Sequence, residues 1–212
     1  MTIIANKYKN IIFDLGGVLL NIDHTLTAKA FYEIGLPDFG ELFSAAQQKQ
    51  LFDLYEKGHI SSADFRNQIK TYCNTGINDS IIDTAWNAML LDLPIERLHL
   101  LQKFKNTHRT FLLSNTNEIH IETFNTYLQK TFGIKDLSGC FEKMYLSYKL
   151  GMRKPDAEIF ELVLSENNLN PNETLFIDDS IQHIESAKKL GIQAYWLDLK
   201  KESIIDLFRI TN

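Results

Sequence analysis

The stretch IIFDLGG, residues 11–17, decides the fold. Its first three residues, 11–13, form a short continuous apolar run, which predicts a central parallel strand buried on both faces. Asp14 follows this strand, and Gly16 and Gly17 then allow the chain to turn sharply away from it. Because ligands of open α/β sheets bind at the carboxyl ends of the strands, Asp14 is a candidate site residue.

The periodicity of the chain changes at about residue 93. Before it the apolar spacing is helical and predicts helices over residues 25–34, 41–55, 63–72 and 81–91. After it strands and helices alternate, which indicates right-handed βαβ units on a parallel sheet. The predicted strands are 110–113, 143–146, 174–177 and 193–197, and the helices are 95–105, 119–130, 156–167, 181–190 and 202–208.

The first strand belongs with the later alternating block, so the helical stretch is an insertion. We therefore predict an α/β fold with a Rossmann-like parallel-sheet core, residues 1–20 and 93–212, and an inserted all-helical cap, residues 21–92. Aromatic residues at helical spacing in the insertion are expected to form the core of the cap. Tyr195 and Trp196, in the last predicted strand, are expected to lie in the core of the sheet domain.

The composition limits the class of protein. With 212 residues, 44% of them hydrophobic, the chain can form one compact domain with a modest inserted lobe. A net charge of -5 argues against a nucleic-acid surface, so the expected substrate is small. No apolar run is long enough to span a membrane, and the polar first ten residues do not resemble a signal peptide. We expect a soluble cytoplasmic protein whose Cys73 and Cys140 are reduced thiols.

Three further segments carry groups that bind metals and phosphates. They are LLSN at residues 112–115, RKPD at 153–156 and FIDD at 176–179. The first and last follow predicted strands, so their polar residues are expected to lie near Asp14. Mg²⁺ prefers a few hard oxygen ligands, which the carboxylates would supply. Since neighbouring residues of a strand point to opposite faces, the two aspartates of FIDD are not equivalent ligands.

In this order, FDLGG, LLSN, RKPD and FIDD resemble the motifs of the haloacid dehalogenase superfamily of phosphohydrolases. The arrangement resembles the subfamily whose helical cap is inserted between the first and second motifs, and the resemblance covers nearly the whole chain. It implies that Asp14 is the nucleophile, which forms an aspartyl phosphate. It also implies that Lys154 is catalytic and binds phosphate together with Ser114 and Asn115.

The same resemblance implies a magnesium site. Asp14, the backbone carbonyl of Gly16 and Asp179 are the expected ligands, and Asp178 is the expected outer-sphere partner. A helix-capping role for Asp179 or the following Ser180 is compatible with this assignment.

Longer strings are similar to the bacterial glucose-1-phosphate phosphatase branch of the superfamily. They are YLSYKLGMRKPDAEIF at residues 145–160, LLSNTNEIH at 112–120 and, less specifically, EKGHIS at 56–61. The similarity implies a small sugar phosphate, such as glucose 1-phosphate, as the substrate.

One position departs from the pattern of the superfamily. Most of its phosphatases carry a second aspartate, a general acid and base, where this chain has Gly16. Loss of such a group typically costs about 10²- to 10⁴-fold in rate. Asp23 is a candidate to replace it, and Glu118 and His120 are weaker ones; for each of them the pattern favours a helix-end or solvated residue.

Two other functions are compatible with parts of this pattern. A haloacid dehalogenase would use Asp14 to attack carbon without Mg²⁺, but the carboxylates of Asp178 and Asp179 would repel a haloacid anion and favour a metal-bound phosphate. A weakly active binding or regulatory protein with the same fold would explain Gly16, but it would not require the intact nucleophile, lysine and metal ligands.

Overall fold

The computed structural model describes residues 7–36, 46–73 and 76–209, of which residues 46–49 are described by their backbone alone. In this part of the chain five strands form one sheet in the order β3-β2-β1-β4-β5, and every neighbouring pair is parallel. This confirms the predicted α/β class. The strands are β1 (Asn10–Phe13), β2 (Arg109–Ser114), β3 (Lys143–Leu146), β4 (Thr174–Asp178) and β5 (Gln193–Trp196).

The first strand lies at the centre of the sheet. Asn10 is in register with Arg109 of β2 on one side and with Thr174 of β4 on the other. From β1 the chain adds β2 and then β3 on one side of the sheet, and afterwards β4 and β5 on the other side. The direction of winding therefore reverses between β1 and β4. Such a reversal opens a crevice at the carboxyl ends of the strands, and Asp14 lies at its edge.

The helices agree with the predicted ones to within about two residues at most ends. The predicted helix 81–91 ends early, at Asn87, because Leu90 leaves the helix and forms an antiparallel bridge with Ile22. Residues 41–45 of another predicted helix lie outside the described residues. The helices are α1 (His24–Glu33), α2 (Ala46–Glu56), α3 (Ser62–Tyr72), α4 (Asp79–Asn87), α5 (Ile95–Lys105), α6 (Glu118–Phe132), α7 (Ser147–Leu150), α8 (Ala157–Asn167), α9 (Ile181–Lys189) and α10 (Ile204–Leu207).

Alternate side chains of the central strands pack into two separate apolar layers. Ile11 and Phe13 belong to the layer that contains Leu101 of α5. Ile12 points the other way and packs with Phe160 of α8. Burial on both faces explains why the sequence of β1 is continuously apolar. Both layers are fully packed, so the sheet holds its carboxyl ends in fixed positions.

The helices between β1 and β2 in the sequence have an apolar core of their own. Phe31, Phe65 and Trp86 are buried in it, and the rings of Phe65 and Trp86 lie 5.1 Å apart. Ile119 of α6 joins this cluster, so the inserted helices pack against the sheet domain.

Membrane-spanning helices and cysteine pairing can both be examined in the described residues. In that part of the chain we find no helix with the length and apolar character that crossing a bilayer requires. Cys73 and Cys140 are not joined in a disulfide within the described residues.

Candidate active site

Asp14 and Lys154 form the centre of a buried charged cluster. The backbone amide of Asp14 donates to the carbonyl of Ile177 at 3.0 Å, which continues the β1–β4 ladder and fixes Asp14 at the strand end. Lys154 Nζ donates to Asp14 Oδ1 at 2.7 Å and to Asp178 Oδ2 at 2.6 Å. The lysine is fully buried, so these carboxylates balance its charge inside the protein.

The shared ammonium affects the two carboxylates differently. Burial raises the pKa of Asp14 to about 7, against the opposing attraction of Lys154. Burial also acts to raise the pKa of Asp178, but the ammonium of Lys154 and the hydrogen bond from His183 outweigh it and hold that pKa at about 2. Burial would lower the pKa of Lys154, yet both carboxylates together raise it. Lys154 therefore stays charged beside the nucleophile proposed from the sequence.

Asp179 completes a group of three carboxylates. One oxygen from each of Asp14, Asp178 and Asp179 lies within 4.8 Å of the other two. This set of hard oxygen donors at one edge of the sheet fits Mg²⁺. Burial and the charge of Asp178 raise the pKa of Asp179, and the ammonium of Lys154 opposes them only in part.

Gly17 makes room for Asp179. The glycine has φ +76°, and a β-carbon at this position would lie 2.8 Å from Asp179 Cγ. Any other residue would strain the backbone and displace the carboxylate. The glycine therefore allows the turn after Asp14 to pass close to the Asp179 carboxylate.

The side chain of Asn115 is bound to the backbone of Lys154. Asn115 Nδ2 donates to the Lys154 carbonyl at 2.8 Å, and the Lys154 amide donates to Asn115 Oδ1 at 2.9 Å. Asn115 thus positions the lysine, a role that sequence reasoning did not assign to it. Ser114, the last residue of β2, lies beside it at the end of the strand, and its hydroxyl makes a long contact of 3.4 Å with the carbonyl of Asn115.

Two other contacts at the site were missed by sequence reasoning. His183 Nδ1 lies 2.9 Å from Asp178 Oδ1. Trp196 Nε1 donates to the backbone carbonyl of Asp179 at 2.9 Å. The expectation that Trp196 is a core residue is wrong: it lies on β5, one of the two edge strands, and is 40% exposed, and Tyr195 is only half-buried.

A cavity of about 100 Å³ lies beside Ser114, between the sheet domain and the inserted helices. The residues that line it are mostly apolar. They are Leu15, Gly16, Leu20, Ile22, His24, Glu56, Trp86, Met89, Leu90, Ser114, Asn115, Thr116, His120, Ile121 and Phe124.

The candidates to replace the aspartate absent at Gly16 lie in different places. Asp23 caps α1 by accepting from the amide of Thr25 at 2.9 Å, and it is not among the residues that line the cavity. Glu118 accepts from Ser62 Oγ at 2.5 Å. Only His120 of the three lines the cavity.

The ring of His120 is held in place on the cavity wall. It stacks on Trp86 with ring centres 4.8 Å apart, and its Nε2 lies 3.2 Å from the Trp86 carbonyl. Burial lowers the pKa of His120 to about 4, so the imidazole is neutral at neutral pH. Both observations favour a structural role in the wall.

Comparison with known proteins identifies the family. The model of the haloacid dehalogenase-like hydrolases matches residues 8–191. The chain is similar to D-ribitol-5-phosphate phosphatase of Bacteroides thetaiotaomicron, with 32% identity over 187 residues, 88% of this chain and 90% of the relative.

Two solved structures have the same fold over almost their whole length. A HAD family enzyme from Bacteroides thetaiotaomicron, in complex with magnesium and inorganic phosphate, gives a TM-score of 0.85 at 38% identity, covering 95% of this chain and 100% of that chain. A predicted HAD-like family hydrolase from Porphyromonas gingivalis gives 0.85 at 29% identity, covering 96% and 98%. The predicted family is confirmed, and this chain belongs to the haloacid dehalogenase-like hydrolases.

Proposed function

We propose that this enzyme is a Mg²⁺-dependent phosphatase that hydrolyses a small sugar or sugar-alcohol phosphate by way of a phosphoryl group on Asp14. The observation that supports it most strongly is the buried Lys154 ammonium, which contacts both Asp14 and Asp178 beside a third carboxylate. A charged lysine held next to three carboxylates balances only part of their charge, and this arrangement suits a site that takes up a cation and an anionic phosphate together.

The chemistry follows from the position of Asp14. One carboxylate oxygen attacks phosphorus, the bond between phosphorus and the leaving oxygen breaks, and that oxygen takes up a proton from solvent water. Water then attacks phosphorus of the aspartyl phosphate and gives up a proton to solvent, which releases inorganic phosphate and restores the carboxylate. Mg²⁺ held by Asp14, Asp179 and the carbonyl of Gly16, with Asp178 as an outer partner, would supply positive charge that offsets the charge of the phosphate.

The remaining residues bind and orient the phosphate. Lys154 places a fixed positive charge beside Asp14, and Asn115 holds the lysine backbone from the next strand. The Ser114 hydroxyl, whose one hydrogen-bond contact within the described residues is a long one of 3.4 Å, is available to a phosphate oxygen.

We further propose that residues 21–92 act as the cap. The inserted segment contributes Trp86, Met89 and Leu90 to the wall of the cavity beside Ser114. A leaving group in this cavity would be enclosed and shielded from water during the reaction.

The size and surroundings of the cavity support a small substrate. A cavity of about 100 Å³ accommodates a few carbon atoms and not a polymer. The relative named D-ribitol-5-phosphate phosphatase, 32% identical, supports a phosphorylated sugar alcohol. Glucose 1-phosphate is supported only by the similarity of the sequence strings at residues 112–120 and 145–160.

A screen with two matched variants tests the proposal. Phosphate release from D-ribitol 5-phosphate, glucose 1-phosphate and glucose 6-phosphate is measured with Mg²⁺ and with EDTA, and halide release from a 2-haloacid is measured in parallel. Asp14→Asn should abolish Mg²⁺-dependent phosphate release. Asp23→Asn, a change outside the cavity, should retain it. Halide release without phosphate release would overturn the proposal, as would phosphate release that survives Asp14→Asn.

A further inference from the structure

The cavity beside Ser114 contains one acidic side chain among the residues that the structure describes. Glu56, the last residue of α2, lines it together with His24, His120 and a mostly apolar wall. A carboxylate in an apolar pocket is a strong acceptor of hydrogen bonds and repels other anions. The Glu56 carboxylate therefore affects which leaving groups can bind in the cavity.

The two oxygens of the Glu56 carboxylate differ in their surroundings. Oε2 is buried and lies 3.0 Å from Arg153 Nη2, its ion-pair partner. Oε1 is not buried, and within the described residues no donor contacts it. Because Glu56 lines the cavity, this second oxygen is the one that can accept a hydrogen bond from a hydroxyl of a bound molecule.

Arg153 fixes the position of this carboxylate. It forms ion pairs with Asp53 and Glu56, one turn apart on α2, and it directly precedes Lys154 in the sequence. Next to it, Lys57 pairs with Asp156 at 2.8 Å. The end of α2 is thus attached to the segment that carries the catalytic lysine, and Glu56 is held at a fixed place relative to the proposed phosphate site.

On the basis of the function proposed above, we propose that Glu56 selects the substrate by accepting a hydrogen bond from a hydroxyl of the leaving group. The substrate class is then a phosphomonoester with an uncharged, hydroxylated carbon chain. A chain without hydroxyls would leave the acceptor unsatisfied, and a chain that ends in a carboxylate would be repelled. Glu56 is a specificity residue in this account and not the missing acid and base.

Three phosphates of equal chain length test the inference: D-ribitol 5-phosphate, pentyl phosphate and D-ribonate 5-phosphate. For the wild type we expect kcat/KM for ribitol phosphate to exceed both others by at least about tenfold. Glu56→Leu, which removes the acceptor, should bring the ratio of ribitol to pentyl phosphate close to one. Glu56→Gln, which keeps an acceptor without the charge, should mainly relax discrimination against the ribonate.

Asp53→Asn is the matched control, because Asp53 contacts the same arginine but does not line the cavity. It should leave both substrate ratios as in the wild type. Ratios within one variant are insensitive to partial unfolding, and the Gln variant tests the proposal even if the Leu variant does not fold.

The inference is overturned if every Glu56 variant lowers kcat/KM for all three phosphates by the same factor, or if the wild type does not prefer ribitol phosphate. If the wild type hydrolyses p-nitrophenyl phosphate with Mg²⁺ but none of the three, the substrate class is wrong while the proposed phosphatase activity stands. If no phosphomonoester is hydrolysed, the proposed function itself fails.

Discussion

Lys154 Nζ lies 2.7 Å from Asp14 Oδ1, although the two residues are 140 positions apart in the sequence. The same nitrogen donates to Asp178, so one buried ammonium joins the ends of the two central strands. Charges removed from water are stable only when they are paired in this way. The contact therefore stabilises the fold and places the proposed nucleophile next to a positive charge.

Lys154→Met should reduce both stability and activity. It would leave two buried carboxylates without their partner, so the free energy of unfolding should fall by about 3–5 kcal/mol. The value of kcat should fall by at least about 100-fold. Urea denaturation and steady-state kinetics measure the two effects. As a control, Lys57→Met breaks a partly exposed pair with Asp156 and should cost about 1 kcal/mol or less. Equal losses from both variants would refute a special role for Lys154.

Loss of His183 should weaken the binding of Mg²⁺, because His183 contacts Asp178. Its ring nitrogen lies 2.9 Å from Asp178 Oδ1, so His183→Phe removes a partner that orients the carboxylate. We expect the Mg²⁺ concentration for half-maximal activity to rise by about 10- to 100-fold. His183→Gln keeps a donor and should recover part of this loss. A magnesium titration that is unchanged in both variants would show that His183 does not support the metal site.

Gly17→Ala should weaken magnesium activation specifically. The new β-carbon would displace the Asp179 carboxylate, and the positive φ would add strain of about 1–2 kcal/mol. Gly133→Ala is a close control, because φ there is +71° and nothing lies within 4 Å of the added carbon. Thermal melts of Gly133→Ala measure the backbone strain alone, and Gly17→Ala should lose more stability because its new carbon also clashes with Asp179. Only the change at residue 17 should alter the magnesium titration, and an identical shift in both would contradict the proposed role of Asp179.

The parallel sheet and the convergence of the site were predictable from the sequence. Asp14, Ser114 and Asp178 each end a strand or directly follow one, and the carboxyl ends of parallel strands meet at one edge. Local periodicity and the rules for parallel sheets are sufficient for that conclusion.

The supporting contacts of the site were not predictable. The bond from Asn115 to the backbone of Lys154 spans 39 residues, and the pair of Arg153 with Asp53 spans 100. These contacts depend on side-chain directions that no local pattern encodes. The exposure of Trp196 was also not predictable, because the local sequence does not say at which position in the sheet a strand lies.

The stability of the protein should depend on the protonation of His120. Its pKa in the folded state is about 4, below the ordinary value of 6.5, so the unfolded chain binds the proton more tightly. The stability contributed by the neutral ring is present above about pH 6.5 and is lost as the pH falls towards 4, by up to about 3 kcal/mol.

Denaturation curves between pH 7 and pH 4 measure this effect. His120→Gln should flatten the decline, whereas His99→Gln, a change on the exposed face of α5, serves as the control substitution and should follow the wild type. A decline in the His120 variant as steep as in the wild type would contradict the assignment.

The most direct test of the account is to locate the phosphoryl group during turnover. The enzyme is mixed with Mg²⁺ and excess substrate and quenched in acid, and its peptides are mapped by mass spectrometry. The account predicts a phosphoryl group on Asp14 that is absent when Mg²⁺ is omitted. A phosphoryl group on a different residue would contradict it.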